Sequence, residues 1–259
     1  MALDITGLPG VGGIYSNFSI SKRRNIPFAA NAQADSFQYT SLNQYVNENA
    51  ILRMISSNPK IASILNQKQV NLNMKELNLL LQGHAKDTQE TARGIMENLP
   101  FSLKNNVDEK AVLDAAYLHD IGKVLIPPEI LNKSGRLTPE ETEIMHKHSE
   151  LGYELLKTTN INPKTLNLIR NHHQNAKKTG YPFVNKDFKA DLNLQIVTIA
   201  DKFSALTEKR VYKDALTPKQ ALTIIYRDVQ EGKLNPLIFK ALVNYTDSQK
   251  FAQKTTVAK

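Results

Sequence analysis

Five times between residues 73 and 236 the chain sets a polar residue ahead of a helix-compatible run, and this punctuation restricts it to helices. Asn73 with Glu76, Thr138-Pro139 with Glu141 and Thr217-Pro218 with Gln220 read as capping boxes, in which cap and third-position side chains satisfy each other's backbone amides. Asn162-Pro163 and Asn235-Pro236 each pair a cap with a first-turn proline, whose missing N–H costs nothing there. Strand signals are thin: the β-branched stretch Gln195 to Ile199 lies inside Leu192, Ile196, Ile199 and Phe203, which has helical spacing. The class predicted is all-α, a helical bundle without internal repeats.

Around this core the composition shifts. Residues 1–40 are rich in Gly, Ser, Asn and Ala with few periodic apolar positions, and read as a flexible N-terminal tail. Residues 41–72 form a short helical extension, with one helix from near Leu42 to the break at Asn58-Pro59 and a second around Ile61 to Leu65. That extension reads either as a dimerisation or regulatory element, serving a homodimer or a signalling partner protein, or as a cover over the core; the cover is favoured. Residues 73–246 make the main domain, and after Tyr245 the polar residues 247–259 read as a frayed C-terminal tail.

A chain of 259 residues with 41% hydrophobic content buries a real core. No run approaches the roughly 18 apolar residues of a membrane helix, and no basic segment followed by an apolar stretch marks a secretory signal, so a soluble, cytoplasmic protein without membrane partners is expected. The absence of cysteine excludes disulfides, thiolate nucleophiles and Cys-based zinc sites. A net charge of +8 favours phosphorylated ligands, but the basic residues are dispersed, with Lys22-Arg23-Arg24 the densest cluster. No helix-turn-helix, zinc-finger or RNP-type signature accompanies them, so no nucleic-acid polymer is expected as a partner.

Helix phasing then places polar side chains where burial is expected. His84 shares a stripe with Leu77, Leu81, Thr88, Ile95 and Leu99, and His148 lies four residues past Ile144 on the stripe of Leu151 and Leu155. His146 is turned about 200° from that stripe at roughly 100° per residue and is set aside as a ligand. Leu166, Ile169 and His173 share a face with His172 beside it, and Asp201 aligns with Leu194, Val197 and Ala205. The doublet His119-Asp120 closes another predicted helix. Burying five imidazoles and two carboxylates together costs several kcal/mol per unpaired charge unless cations compensate the carboxylates and the rings coordinate through neutral nitrogen. Mixed His and Asp ligation suits iron, manganese or zinc.

With these residues placed, the sequence resembles the HD-GYP family, a branch of the HD-domain metal-dependent phosphohydrolases that hydrolyse cyclic di-GMP. The blocks that carry the resemblance run from His84 through His119-Asp-Ile-Gly-Lys123, His148-Ser-Glu-Leu-Gly152, His172-His173 and Gly180-Tyr181-Pro182 to Ala200-Asp201-Lys-Phe-Ser-Ala-Leu206. It implies an HD-domain helical bundle and a cyclic di-GMP phosphodiesterase giving linear pGpG or GMP through a hydroxide activated by two metals, iron or manganese. His84, His119, Asp120 and Asp201 are implied as ligands of one ion, with Asp120 bridging to a second held by His148, His172 and His173. Lys123 is implied at the scissile phosphate, and Gly180, Tyr181, Pro182, Arg210 and Lys213 as contacts of the cyclic dinucleotide.

The chain departs from the family pattern at several positions. Gln174 stands where an acidic residue is frequent, Asn175 to Thr179 replaces an acidic and aromatic loop, Ser204 a frequent Asp, and Val211 a frequent Pro. Leu80 stands where relatives with a third metal carry a glutamate, so two metals are expected. The altered loop leaves two alternatives open: an HD hydrolase of another nucleotide or phosphoester, and a low-activity cyclic di-GMP-binding signalling protein.

Overall fold

A computed structural model describes residues 42–65, 72–208 and 214–257, and every element among them is helical. After a 3-10 turn at Asn43–Tyr45 come α1 (Glu48–Ser56), α2 (Lys60–Leu65), α3 (Met74–Gln82), α4 (His84–Glu97), α5 (Phe101–Lys104) and α6 (Glu109–Leu118). A second 3-10 segment, Ile121–Leu125, leads to α7 (Pro128–Leu131), α8 (Pro139–His146), α9 (His148–Leu156), α10 (Pro163–Asn171), α11 (Leu192–Thr207), α12 (Pro218–Gln230) and α13 (Pro236–Val257). None is long and apolar enough to cross a membrane.

All five sequence caps start helices, but not all by the expected bond. Thr138 and Thr217 form complete capping boxes, and Asn162 and Asn235 accept from Lys164 N and Leu237 N. Asn73 makes no side-chain cap bond; its backbone amide donates instead to Val124 O at 2.9 Å, which ties the start of α3 to the 3-10 segment. Two long helices expected from the stripes are each divided. Gly83, at φ −106° and ψ −99°, separates α3 from α4, and Lys147 separates α8 from α9. Conversely, α13 runs on to Val257 where a polar tail is expected, because no Gly or Pro follows Pro236 to break it.

The bundle is organised around α4, which packs against α11, α6, α13 and α3. Its inward face carries Ala85, Ala92 and Gly94 beside Ile95 and Met96, small enough for neighbouring helices to approach closely. α9 packs on the second 3-10 segment, α10, α2 and α1. Leu151 and Leu155 of α9 are fully buried, each stabilising the fold by about 1.5–3 kcal/mol. Asn58, between α1 and α2, donates to both the backbone oxygen and Oε2 of Glu154 at 2.8 Å, and Lys60 Nζ reaches Glu154 Oε1 at 2.9 Å. The segment before residue 66 is thereby fastened over α9.

Candidate metal centre

The polar cluster is assembled mostly from helix ends. His84 is the first residue of α4, His119 and Asp120 follow the last turn of α6, His148 opens α9, and His172 and His173 follow α10; only Asp201 lies within a helix, α11. Helix ends leave carbonyls without intrahelical partners. Three imidazoles use such groups: Nδ1 of His119, His148 and His172 donates to the carbonyls of Ala116, Met145 and Ile169 at 2.8, 2.7 and 2.7 Å. A carbonyl only accepts, so Nδ1 carries a proton and Nε2 points inward, as in metal-ligating histidines whose other ring nitrogen donates to a backbone carbonyl.

The inward atoms converge in two neighbouring groups. His84 Nε2 lies 3.0 Å from Asp201 Oδ1 and 3.3 Å from His119 Nε2, which is itself 3.5 Å from Asp201 Oδ1. On the other side His148 Nε2 is 3.2 Å from His172 Nε2, and His173 joins them within one group of ligand atoms. Asp120 stands between: its Oδ2 is 3.4 Å from His119 Nε2 and its Oδ1 is 3.4 Å from His148 Nε2. All except His173 are buried. His146 belongs to neither group.

Electrostatics tests whether cations fit. Burial lowers the pKa of His148 to about 3 and of His173 to about 4, and pushes His172 well below its ordinary value, with neighbouring positive groups adding to the effect and nearby carboxylates opposing it. Neutral His148 and His172, both protonated on Nδ1, turn two lone pairs toward each other across 3.2 Å, an arrangement that lacks a donor. Asp120 Oδ1 is buried without a hydrogen-bond partner beside them. Burial works to raise the pKa of Asp120, but Lys123, His119 and His148 hold it well below the carboxylate range. For His119, burial works against the charge, yet Asp120 and Asp201 outweigh it and raise its pKa to about 10. Converging lone pairs, an orphaned carboxylate oxygen and an imidazolium between two carboxylates all fit cation binding.

Around the cluster, Lys123 Nζ donates to Asp120 Oδ2 at 2.6 Å. Gly122 brings the 3-10 segment so close to α9 that a Cβ there would lie 2.0 Å from His148 O. The Gly180-Tyr181-Pro182 turn, with a cis bond before the proline, folds back onto the histidine pair. Tyr181 stacks on His146, centroids 3.7 Å apart at 13°, and leans on His173 at 4.5 Å and 34°. Gln174 holds this turn: its Nε2 donates to Pro182 O at 2.6 Å and its Oε1 accepts from Gly180 N at 3.3 Å. The roles of His146 and Gln174 are absent from the sequence reading, because both depend on a loop whose path helical periodicity does not report. Arg210 and Lys213 lie outside the described residues.

A cavity of about 440 Å³ opens onto His84, Asp120, Lys123, His173 and Asp201. Such a volume, with metal-ligand groups at one end, suits a small phosphorylated ligand.

Comparison with known proteins gives this site a family. The family described as HD domain matches residues 52–238. The chain belongs to the HD-domain family. Within it the chain carries the motif series of the HD-GYP branch. The HD domain here is 40% identical over 123 residues to a cyclic di-GMP phosphodiesterase response regulator, RpfG, of Xanthomonas campestris, a match covering 46% of this chain and 32% of that protein. A protein of Vibrio cholerae named 3'3'-cGAMP-specific phosphodiesterase 1 is 31% identical over 160 residues, covering 61% of this chain and 37% of that one. The chain thus spans about a third of the length of these relatives. A solved HDG"Y"P protein from Bdellovibrio bacteriovorus shares the fold at TM-score 0.54 and 15% identity, over 81% of this chain and 68% of that one.

Proposed function

We propose that this HD domain is a metal-dependent cyclic di-GMP phosphodiesterase, opening the cyclic dinucleotide to linear pGpG or on to GMP. The observation that carries this reading is Asp120, whose two oxygens face two separate histidine groups at 3.4 Å each and which lines a cavity of about 440 Å³. His84, His119, Asp120 and Asp201 would hold one divalent ion, and Asp120 with His148, His172 and His173 a second, iron or manganese by the mixed nitrogen and oxygen donors. Such a pair supplies Lewis-acid polarisation of a phosphoryl oxygen and a lowered pKa for water.

The protein's own residues do the rest. The Nδ1 bonds of His119, His148 and His172 keep Nε2 aimed inward, and burial keeps that atom unprotonated in His148 and His172. Lys123, mostly buried beside Asp120, places an ammonium where charge develops on the phosphate and offers a proton to the leaving oxygen. Tyr181, with one face on His146, packs its ring beside His173. A second reading, hydrolysis of 3'3'-cGAMP, is favoured by the relatives so named at 31% and 38% identity.

Purified protein loaded with manganese or iron, incubated with cyclic di-GMP, 3'3'-cGAMP and a panel of other phosphoesters, tests both. Turnover of a cyclic dinucleotide that disappears in Asp120→Ala is expected. Equal turnover by that variant overturns the site assignment, and activity confined to other phosphoesters overturns the substrate.

A further inference from the structure

The cavity does not stop at the carboxylates of the metal centre. Its lining also includes Lys202, Asp228 and Lys233, with Asn175 and Thr179. These residues come from three places, and backbone bonds fix them together. Lys202 follows Asp201 on α11, Asp228 lies in the last turn of α12, and Lys233 sits in the turn before α13. That turn needs Gly232 in the left-handed region, at φ 70°. Lys233 N donates to Asp228 O at 2.9 Å, and Lys233 O accepts from Ala176 N at 3.0 Å, which joins the turn to the loop carrying Asn175 and Thr179.

The charges decide what this part of the cavity suits. Lys202 Nζ bonds Asp228 Oδ2, while Lys233 Nζ lies 3.8 Å from Asp228 Oδ1 and 2.6 Å from Glu231 Oε2. Each lysine is already engaged by a carboxylate, Lys202 by Asp228 and Lys233 by Glu231, so these four groups together are charge-balanced and offer a phosphate little. The phosphate is instead assigned to Lys123, which lies beside Asp120 at the metal centre. A neutral array of fixed donors and acceptors suits the hydrogen-bonding edge of a base. A carboxylate has about four lone-pair positions and the two lysines engage about two, so Asp228 keeps acceptors for a ligand, and each ammonium keeps donors.

We propose that Asp228, held between Lys202 and Lys233, is the specificity residue that reads guanine in the cyclic dinucleotide. Its carboxylate accepts from the adjacent N1–H and N2–H groups while a flanking lysine donates to O6. Adenine presents a single donor, N6–H, next to the lone pair of N1, which would face the carboxylate oxygens; a site built for two donors rejects it. This assignment rests on the phosphodiesterase reading for its substrate, but the base preference it states is measurable without turnover.

The test pairs two readouts on metal-loaded wild type, Asp228→Asn and Asp228→Ala, whose folding is checked by thermal melting. Equilibrium binding of GMP, IMP and AMP reports the base edge alone, since IMP lacks only the N2 amine. The kcat/KM ratio of cyclic di-GMP to cyclic di-AMP reports the same edge during turnover. Wild type is expected to prefer GMP to both IMP and AMP by about 10-fold or more, and both variants to lose most of that preference, a fall in keeping with a bidentate base contact. Wild type binding all three alike, or variants keeping the full preference, overturns the role of Asp228. Absence of turnover on any cyclic dinucleotide, with the binding preference intact and abolished in the variants, instead overturns the phosphodiesterase reading and leaves the guanine site standing.

Discussion

His173 lacks the backbone-carbonyl anchor that aims His119, His148 and His172, and its ring lies between those of His172 and His148 and that of Tyr181, which is itself stacked on His146. A positioning role for His146 follows. His146→Ala is expected to weaken metal binding at the group of His148, His172 and His173 by about 10-fold, the lower range for losing an outer-shell partner, while His146→Phe, which keeps a ring to stack on, retains it. Metal affinity by competition with a chelator decides this, and equal loss in both variants would sink it. Helical phase set His146 aside as a ligand in the sequence, but its contact with Tyr181 depends on a later loop and left no periodic signal. At the same scale, His119 sets a proton balance. Without a cation its pKa is about 10, raised above the ordinary value, so at neutral pH it holds a proton that a cation must displace. Metal affinity is therefore expected to climb as pH rises from neutral, and to level off above that pKa. Calorimetry in buffers of different ionisation heat should detect about one proton released, and buffer-independent heats would contradict the assignment.

Among the elements, the close approach of the 3-10 segment to α9 brings the two histidine groups together. A Cβ on Gly122 would meet His148 O at 2.0 Å and Gly152 N at 2.5 Å, both backbone atoms unable to swing aside. Gly122→Ala is expected to destabilise the fold by about 1–3 kcal/mol or more and to lower affinity for the metal shared by Asp120 and His148, read by denaturant unfolding and metal titration. A variant with wild-type stability would show that the segment is free to move away. The sequence made the helix starts legible because caps and prolines are local chemistry; Thr138 and Thr217 form the boxes their sequences spell. It concealed the breaks at Gly83 and Lys147, because apolar positions keep their phase across both and a stripe alone does not distinguish one helix from two. Asn73 shows the converse, a cap sequence whose bond gives way to a tertiary contact with Val124. His84 and His148 are buried all the same, each as the first residue of the helix after the break.

For the molecule as a whole, metal binding and the covering segment are two separable sources of stability. Ions that bind only the folded chain stabilise it by RT ln(1 + [L]/Kd), about 2.7 kcal/mol per site at a hundredfold excess over Kd, and about twice that for two sites. Loading is thus expected to raise Tm by roughly 10–20 °C for a domain of this size. Asp120→Ala, which removes the group facing both sites, should forfeit most of that rise. Glu154 tests the cover. Burial works to raise its pKa, but Lys157, Asn58 and Lys60 outweigh it and hold it below the ordinary 4.5. A depressed carboxylate contributes stability that is present above its unfolded pKa and lost as pH falls through its folded one. Glu154→Gln should therefore cost on the order of 2 kcal/mol near neutral pH, with the difference from wild type shrinking below about pH 4.5. Glu154 shares no bonding partner with the centre, so the metal-induced rise in Tm should be nearly the same in wild type and Glu154→Gln. A rise that collapses in Glu154→Gln would mean that the segment before residue 66 helps to shape the centre, and would recast it from a cover into a regulator of metal occupancy.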